Sequence, residues 1–132
     1  MKFPFSNIFK SQSKTIPAEV VKQLEASFPN AKNVDWEIKG EIYEAIFYMN
    51  DVEHIAKISK KGALIEYKKN LWLEELPENV SIAGSSFGEI MNAIVIYSGV
   101  DVFYELIVRN EKLDRFEYVI DQKGVVLKTR PL

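Results

Sequence analysis

The residues that could do chemistry are few, and His54 is the only histidine among them. In the stretch DVEHIAKIS it alternates with Ala56 and Ile58. A strand there puts the imidazole on the same side as two apolar residues. That placement fits a satisfied histidine at a core edge better than a general base or a metal ligand. Ser85-Ser86 lies between Gly84 and Gly88 and offers hydroxyls, but no base accompanies them. A serine without an adjacent base is a weak nucleophile, so the segment reads as a loop. It is no phosphate loop either, because no Gly-Lys-Ser/Thr follows its glycines. Asp51, Glu53, Glu74 and Glu75 have no recognised ligand spacing. Cysteine is absent, which excludes disulfides and thiolate metal sites. No catalytic residue, metal or cofactor is expected, and the chain reads as a non-enzyme.

Binding is the remaining class of function. Lys57, Lys60, Lys61, Lys68 and Lys69 gather around Tyr67, but the net charge is −2 and no basic excess supports nucleic-acid binding. Lysines on turns and edge strands explain the cluster, since they block strand pairing between molecules. No window approaches the length of apolar chain that spans a membrane. The N-terminal stretch MKFPFSNIFKSQSK carries Phe3, Phe5, Ile8 and Phe9, but Pro4, Ser6, Asn7 and Lys10 interrupt them. A secretory signal needs an unbroken apolar core. The stretch is therefore expected to be an arm over residues 1–15, and the missing signal points to the cytoplasm.

The elements that would position a binding surface follow from periodicity. At 132 residues and 47% apolar, the chain suits one ordinary domain. Thr15 can cap a helix, and Pro17 suits its start. Val20, Val21, Leu24 and Phe28 recur at helical spacing, which predicts a helix over 18–28. Alternating runs predict strands over 33–38, 42–49, 52–58 and 63–67. Lys39-Gly40-Glu41, Asn50-Asp51 and Ser59 to Gly62 are turns between them. Lys68 to Glu75 contains Leu71, Trp72 and Leu73 and is expected to pack. Leu76-Pro77-Glu78 repeats Ile16-Pro17-Ala18. A second helix begins near Val80, but Gly84 and Gly88 weaken it, leaving it short, broken or shifted toward 85–92. Strands return at 92–97, 102–109, 113–120 and 125–130. Tyr43-Glu44-Ala45-Ile46-Phe47 matches Tyr104-Glu105-Leu106-Ile107-Val108, and Lys61-Gly62 matches Lys123-Gly124. The fold expected is α+β: two tandem helix-plus-four-strand repeats, about 16–70 and 76–132, forming one eight-stranded antiparallel sheet with the helices on one face. Residues 16–132 would make a single domain.

Phe28-Pro29-Asn30-Ala31, Asn33-Val34-Asp35-Trp36-Glu37, Tyr43-Glu44-Ala45-Ile46-Phe47 and the turn ending at Gly62 resemble the PepSY-like, beta-lactamase-inhibitor-like proteins common in Bacteroidetes. The resemblance covers about residues 16–132. It implies this same two-repeat sheet, an exported location and no known role.

Alternation then separates two faces. If Tyr43, Ala45, Phe47, Tyr104, Leu106 and Val108 meet the helices, then Ile46, Tyr48, Phe103, Ile107 and Arg109 face away. Arg115 and Glu117 join them from the next strand. A one-sided sheet should be polar on its open face, and this one mixes apolar residues with charges. Ile46, Tyr48, Phe103 and Ile107 are the expected anchors of an interface with a protein or peptide, or with a second copy of the chain. Arg109, Arg115 and Glu117 would form its rim. The alternative is a small-ligand carrier, with a pocket between the sheet and the second helix at 84–88.

Overall fold

Two prolines, sixty residues apart, begin the two helices. The computed structural model describes residues 16–132. The expected arm over residues 1–15 and its Thr15 cap lie outside them. Pro17 precedes helix α1 (Ala18–Ser27) and Pro77 precedes α2 (Glu78–Ser85). The two prolines have nearly the same dihedrals, φ −58° with ψ 146° and 147°. Each proline carbonyl accepts the first helical bonds, from Val20 and Val21 in one case and from Val80 and Ser81 in the other. Proline at a helix start wastes no N–H, because the first amides have no partner anyway.

The chain divides into two compact units, one ending at Tyr67 and the other starting at Lys68. After α1 come β1 (Lys32–Lys39), β2 (Ile42–Met49), β3 (Val52–Ser59) and β4 (Leu64–Leu71). After a 3-10 turn and α2 come β5 (Glu89–Ser98), β6 (Asp101–Arg109), β7 (Arg115–Asp121) and β8 (Val126–Pro131). The eight strands form one antiparallel sheet in chain order.

In the first unit, Ile16, Val20, Leu24 and Phe28 pack with Tyr43, Ala45, Phe47, Ala56 and Ile58. In the second, Leu76 and Val80 pack with Ala93, Val95, Tyr104, Leu106, Val108 and Ile120. Each large side chain fully removed from water here stabilises its unit by about 1.5–3 kcal/mol. The expected helix-facing residues of β2 and β6 are all in these clusters. Trp36 packs half-buried against the first cluster, as its alternation with Val34 predicts.

The second helix is neither broken nor shifted toward 85–92. It starts sixty residues after α1 and ends at Ser85, and β5 consequently begins at Glu89 rather than Asn92. Gly84 lets helix and sheet approach closely: a Cβ there would lie 2.5 Å from Leu106 Cδ1 and 3.0 Å from Ile90 Cδ1, so those side chains would have to shift. Leu24 is the equivalent of Gly84, and Ala45 the equivalent of Leu106. The first unit thus has a large helix residue and a small strand residue, and the second unit has the reverse. At Gly84 itself the space between helix and sheet is filled by those side chains, and the opening nearest the expected carrier pocket lies beside it, at Ser85–Gly88. The turn glycines match as well: a Cβ on Gly62 would lie 3.0 Å from the Glu19 carbonyl oxygen, and one on Gly124 would lie 2.8 Å from that of Asn79.

Other boundaries move as well. β4 runs on to Leu71, so part of the expected joining segment is strand. Leu71 packs on the second cluster, whereas Trp72 and Leu73 stay exposed. β7 starts at Arg115, because Leu113 adopts φ 68° in the preceding loop.

Candidate functional site

On the first unit, the face of β2 turned away from α1 is built from cross-strand rows. Ile46 stands opposite Asp35 and Ile55, and Tyr48 opposite Lys32 and Glu53. Between these rows and the β2 start, Glu44 stands opposite Glu37 and Lys57. Ile46 is half-buried, and Tyr48 is 42% exposed. Glu44 is only 8% exposed, and its carboxylate lies 3.4 Å from Lys39 Nζ. Lys57 pairs with Glu66 at 3.4 Å. Lys57 therefore belongs to a charge ladder across the strands and does not sit on a free turn.

The second unit repeats the arrangement with a different outcome. Phe103 stands opposite Ile96 and Asp121, Glu105 opposite Ile94 and Val119, and Ile107 opposite Asn92 and Glu117. Phe103 and Ile107 are half-buried, and Ile96 is buried. Arg109 is held by Glu89 at 2.9 Å, Glu117 is paired with Arg130, and Arg115 is exposed directly opposite Arg109. Of the expected rim charges, two are thus already committed within the unit.

Sequence reasoning passed over Glu44, Glu105 and Arg130. The signal for the glutamates was present, since Glu44 and Glu105 occupy the same place in the two matching pentapeptides. Arg130 lies thirteen residues from Glu117 and reaches it only through the β7–β8 register.

The pair Glu105 and Glu117 titrates asymmetrically. Burial, then a hydrogen bond and repulsion from Glu117, push the Glu105 carboxyl above the usual carboxylate range, against the pull of Lys68 and Arg130. The hydrogen bond from Arg130 holds Glu117 below that range. The signs are opposite. A raised carboxyl stabilises the fold at low pH and loses that contribution as pH rises through its folded value. A lowered one contributes above the ordinary carboxylate range and loses it as pH falls through its folded value. Glu105→Gln keeps a donor toward Glu117 and removes the ionisation. Its stability, followed by urea denaturation, should match or exceed the parent near neutral pH and decline less as pH rises above the carboxylate range. Glu117→Gln should be weaker than the parent at neutral pH. An unchanged pH profile in Glu105→Gln would contradict this assignment.

The residues first considered for catalysis have structural roles. His54 is 4% exposed, its Nδ1 is 2.8 Å from the Tyr67 hydroxyl, and its ring stacks on Phe47 at 5.4 Å. Phe28 closes the group against Phe47 and Tyr67 at 5.0 and 4.7 Å. Ser86 Oγ donates to the Ala83 carbonyl at 2.6 Å. Among the described residues, no group of three or more His, Asp or Glu could hold a metal ion, and no helix is long and apolar enough to cross a membrane.

The fold is that of the BLIP-like and DUF2874 proteins. A DUF2874 family protein from Bacteroides ovatus superposes with a TM-score of 0.77 at 21% identity, over 89% of this chain and 88% of that one. A BLIP-like protein from Bacteroides fragilis gives 0.74 at 15% identity, over 88% and 86%. A protein from Bacteroides eggerthii, named for a periplasmic location, gives 0.78 at 20% identity, over 87% and 88%. At these identities the likeness shows the fold alone. It supports the inhibitor-like half of the resemblance, and none of these names is PepSY. No family model and no curated protein matches the sequence.

Proposed function

We propose that the chain is a non-enzymatic protein- or peptide-binding module that uses the strand faces turned away from its helices. One observation carries this reading. On β6, Phe103 and Ile107 are half-buried rather than covered, and Glu105 lies between them, while α2 packs on the opposite face. A partner would bury these apolar groups, and the fixed ion pairs Arg109–Glu89 and Arg130–Glu117 would set its orientation. On the first unit, Ile46 and Tyr48 would serve in the same way. An exported location is part of this proposal, supported by the periplasmic naming of one similar structure. The expectation of a cytoplasmic protein finds no such support. A PepSY-type relationship remains a proposal resting on the sequence resemblance.

The test places a photo-crosslinking residue at position 103 and, as a control, at exposed position 82 on α2. A specific adduct from position 103, lost when Ile107→Ser is added, is the expected result. Sedimentation at high concentration shows whether the adduct is a second copy. A chain that remains monomeric and gives no adduct at position 103 contradicts the reading.

A further inference from the structure

A hollow of about 610 Å³ opens on the first unit, lined by Asn30, Lys32, Asn33, Tyr48, Asn50 and Asp51. Its volume falls within the range of small-molecule sites, though its walls are unusually rich in amides. Asn33 sits at a register shift in β1 with φ 55°, and Asn50 and Asp51 form a two-residue hairpin with φ 51° and 63°. Three of the four non-glycine residues with positive φ among the described residues therefore line one hollow. Backbone of this kind gathers at functional sites. Asparagine also tolerates it for purely local reasons, so the backbone alone decides nothing.

The second unit supplies the comparison. An equivalent hollow of about 530 Å³ lies between Ser85–Gly88 and the loop 110–114. There, Asn110 follows Arg109 as Met49 follows Tyr48, and its Oδ1 accepts bonds from the Lys112 and Asp114 amides at 2.9 and 3.0 Å. Its side chain braces the loop. Tyr48 is replaced by Arg109, which is engaged by Glu89. In the first unit, no hydrogen bond joins the Asn30, Asn33 or Asn50 side chains to any other described residue, and Tyr48 is 42% exposed beside them. The loop asparagine of the second unit braces its own turn, whereas the amides lining the first-unit hollow make no bond of that kind.

The geometry points to a binding site for a neutral, hydroxyl-rich ligand, a saccharide, in the first-unit hollow. A primary amide both donates and accepts, which matches the dual character of a hydroxyl group. The exposed Tyr48 ring gives an apolar platform for the C–H face of a sugar, and its own hydroxyl stays polar. Lys32 and Asp51 oppose each other in charge, so the hollow favours neither anions nor cations. This site is independent of the proposed strand-face interface, although Tyr48 borders both.

The test is an NMR titration of the full chain with maltose, cellobiose, mannobiose and diacetylchitobiose. At least one should give saturable shifts at the Asn30, Asn33 and Asn50 side-chain amides and at Tyr48, with an affinity on the order of 1 mM. Asn33→Gly and Asn50→Gly keep the positive φ and remove the amide. Together they should weaken binding about tenfold, and the melting temperature should not fall. Tyr48→Phe should retain binding and Tyr48→Ser should lose it, and Asn110→Gly and Ile46→Ser should leave it unchanged. If no sugar gives saturable shifts at these residues, or if the double glycine variant binds as tightly as the parent, the proposal is overturned.

Discussion

Phe47→Ala should lose about 3–5 kcal/mol of folding free energy, a large share of the stability of an average small domain. Phe47 is fully buried, with its ring 5.0 Å from that of Phe28 and 5.4 Å from that of His54. These neighbours come from the end of α1 and from β3, and the strands are fixed by their ladders, so the site cannot collapse around the missing ring. The void would also lie against the face of a buried imidazole, where a water finds few partners. Phe47→Leu keeps most of the apolar volume and should lose only about 1–1.5 kcal/mol. Urea denaturation followed by Trp36 fluorescence, in a Trp72→Phe background, reports on the first unit. A loss below about 1 kcal/mol for the alanine variant would mean that this aromatic group is not a core element.

The second large effect is expected at Gly88, for a different reason. This residue joins α2 to β5 at φ 151°, a conformation that side chains rarely adopt. An added Cβ would lie 2.4 Å from the Arg109 carbonyl oxygen, 3.0 Å from its carbonyl carbon and 3.1 Å from Asn110 Cα. All three obstacles are backbone, so no side-chain rotation relieves the clash. Either β5 shifts along β6, breaking the Glu89–Arg109 row, or the loop after β6 opens. Gly88→Ala should therefore destabilise the second unit by roughly 3 kcal/mol, with amide exchange accelerating first in β5 and β6. Gly99→Ala is the control, because nothing lies within 4 Å of its added Cβ. Its cost is only the left-handed backbone, about 1 kcal/mol. Equal losses at the two positions would show that the close approach at Gly88 is unimportant.

The strands were legible because alternation is a local signal. β2 occupies the predicted residues, and β3 and β6 each gain one residue at an end. β4 was cut short because Lys68, Lys69 and Asn70 hide the continuation from Tyr67 to Leu71. α2 was obscured by Gly84, since the volume that forbids a side chain there belongs to Leu106, twenty-two residues away. The open face was legible as a parity, but not its wiring. Which carboxylate meets which cation depends on register between strands, and neither the Glu117–Arg130 pair nor the burial of Glu44 follows from the sequence near it. The hollow around Asn50 was wholly hidden, because Asn50-Asp51 carries the same turn signal whether or not its amide has a task.

The exchange of volumes between Leu24 with Ala45 and Gly84 with Leu106 bears on how a chain with two similar halves avoids confusing them. Two helices that enter similar strands at the same place invite mispairing during folding. Here each helix is keyed to its own strands. α1 against the second set of strands would press Leu24 on Leu106, and α2 against the first would leave Gly84 facing Ala45 across a space the size of a leucine side chain. The first error overfills the core and the second empties it, at about 1–3 and 2–5 kcal/mol respectively. The difference in volumes thus provides each half with a means of recognising its own parts.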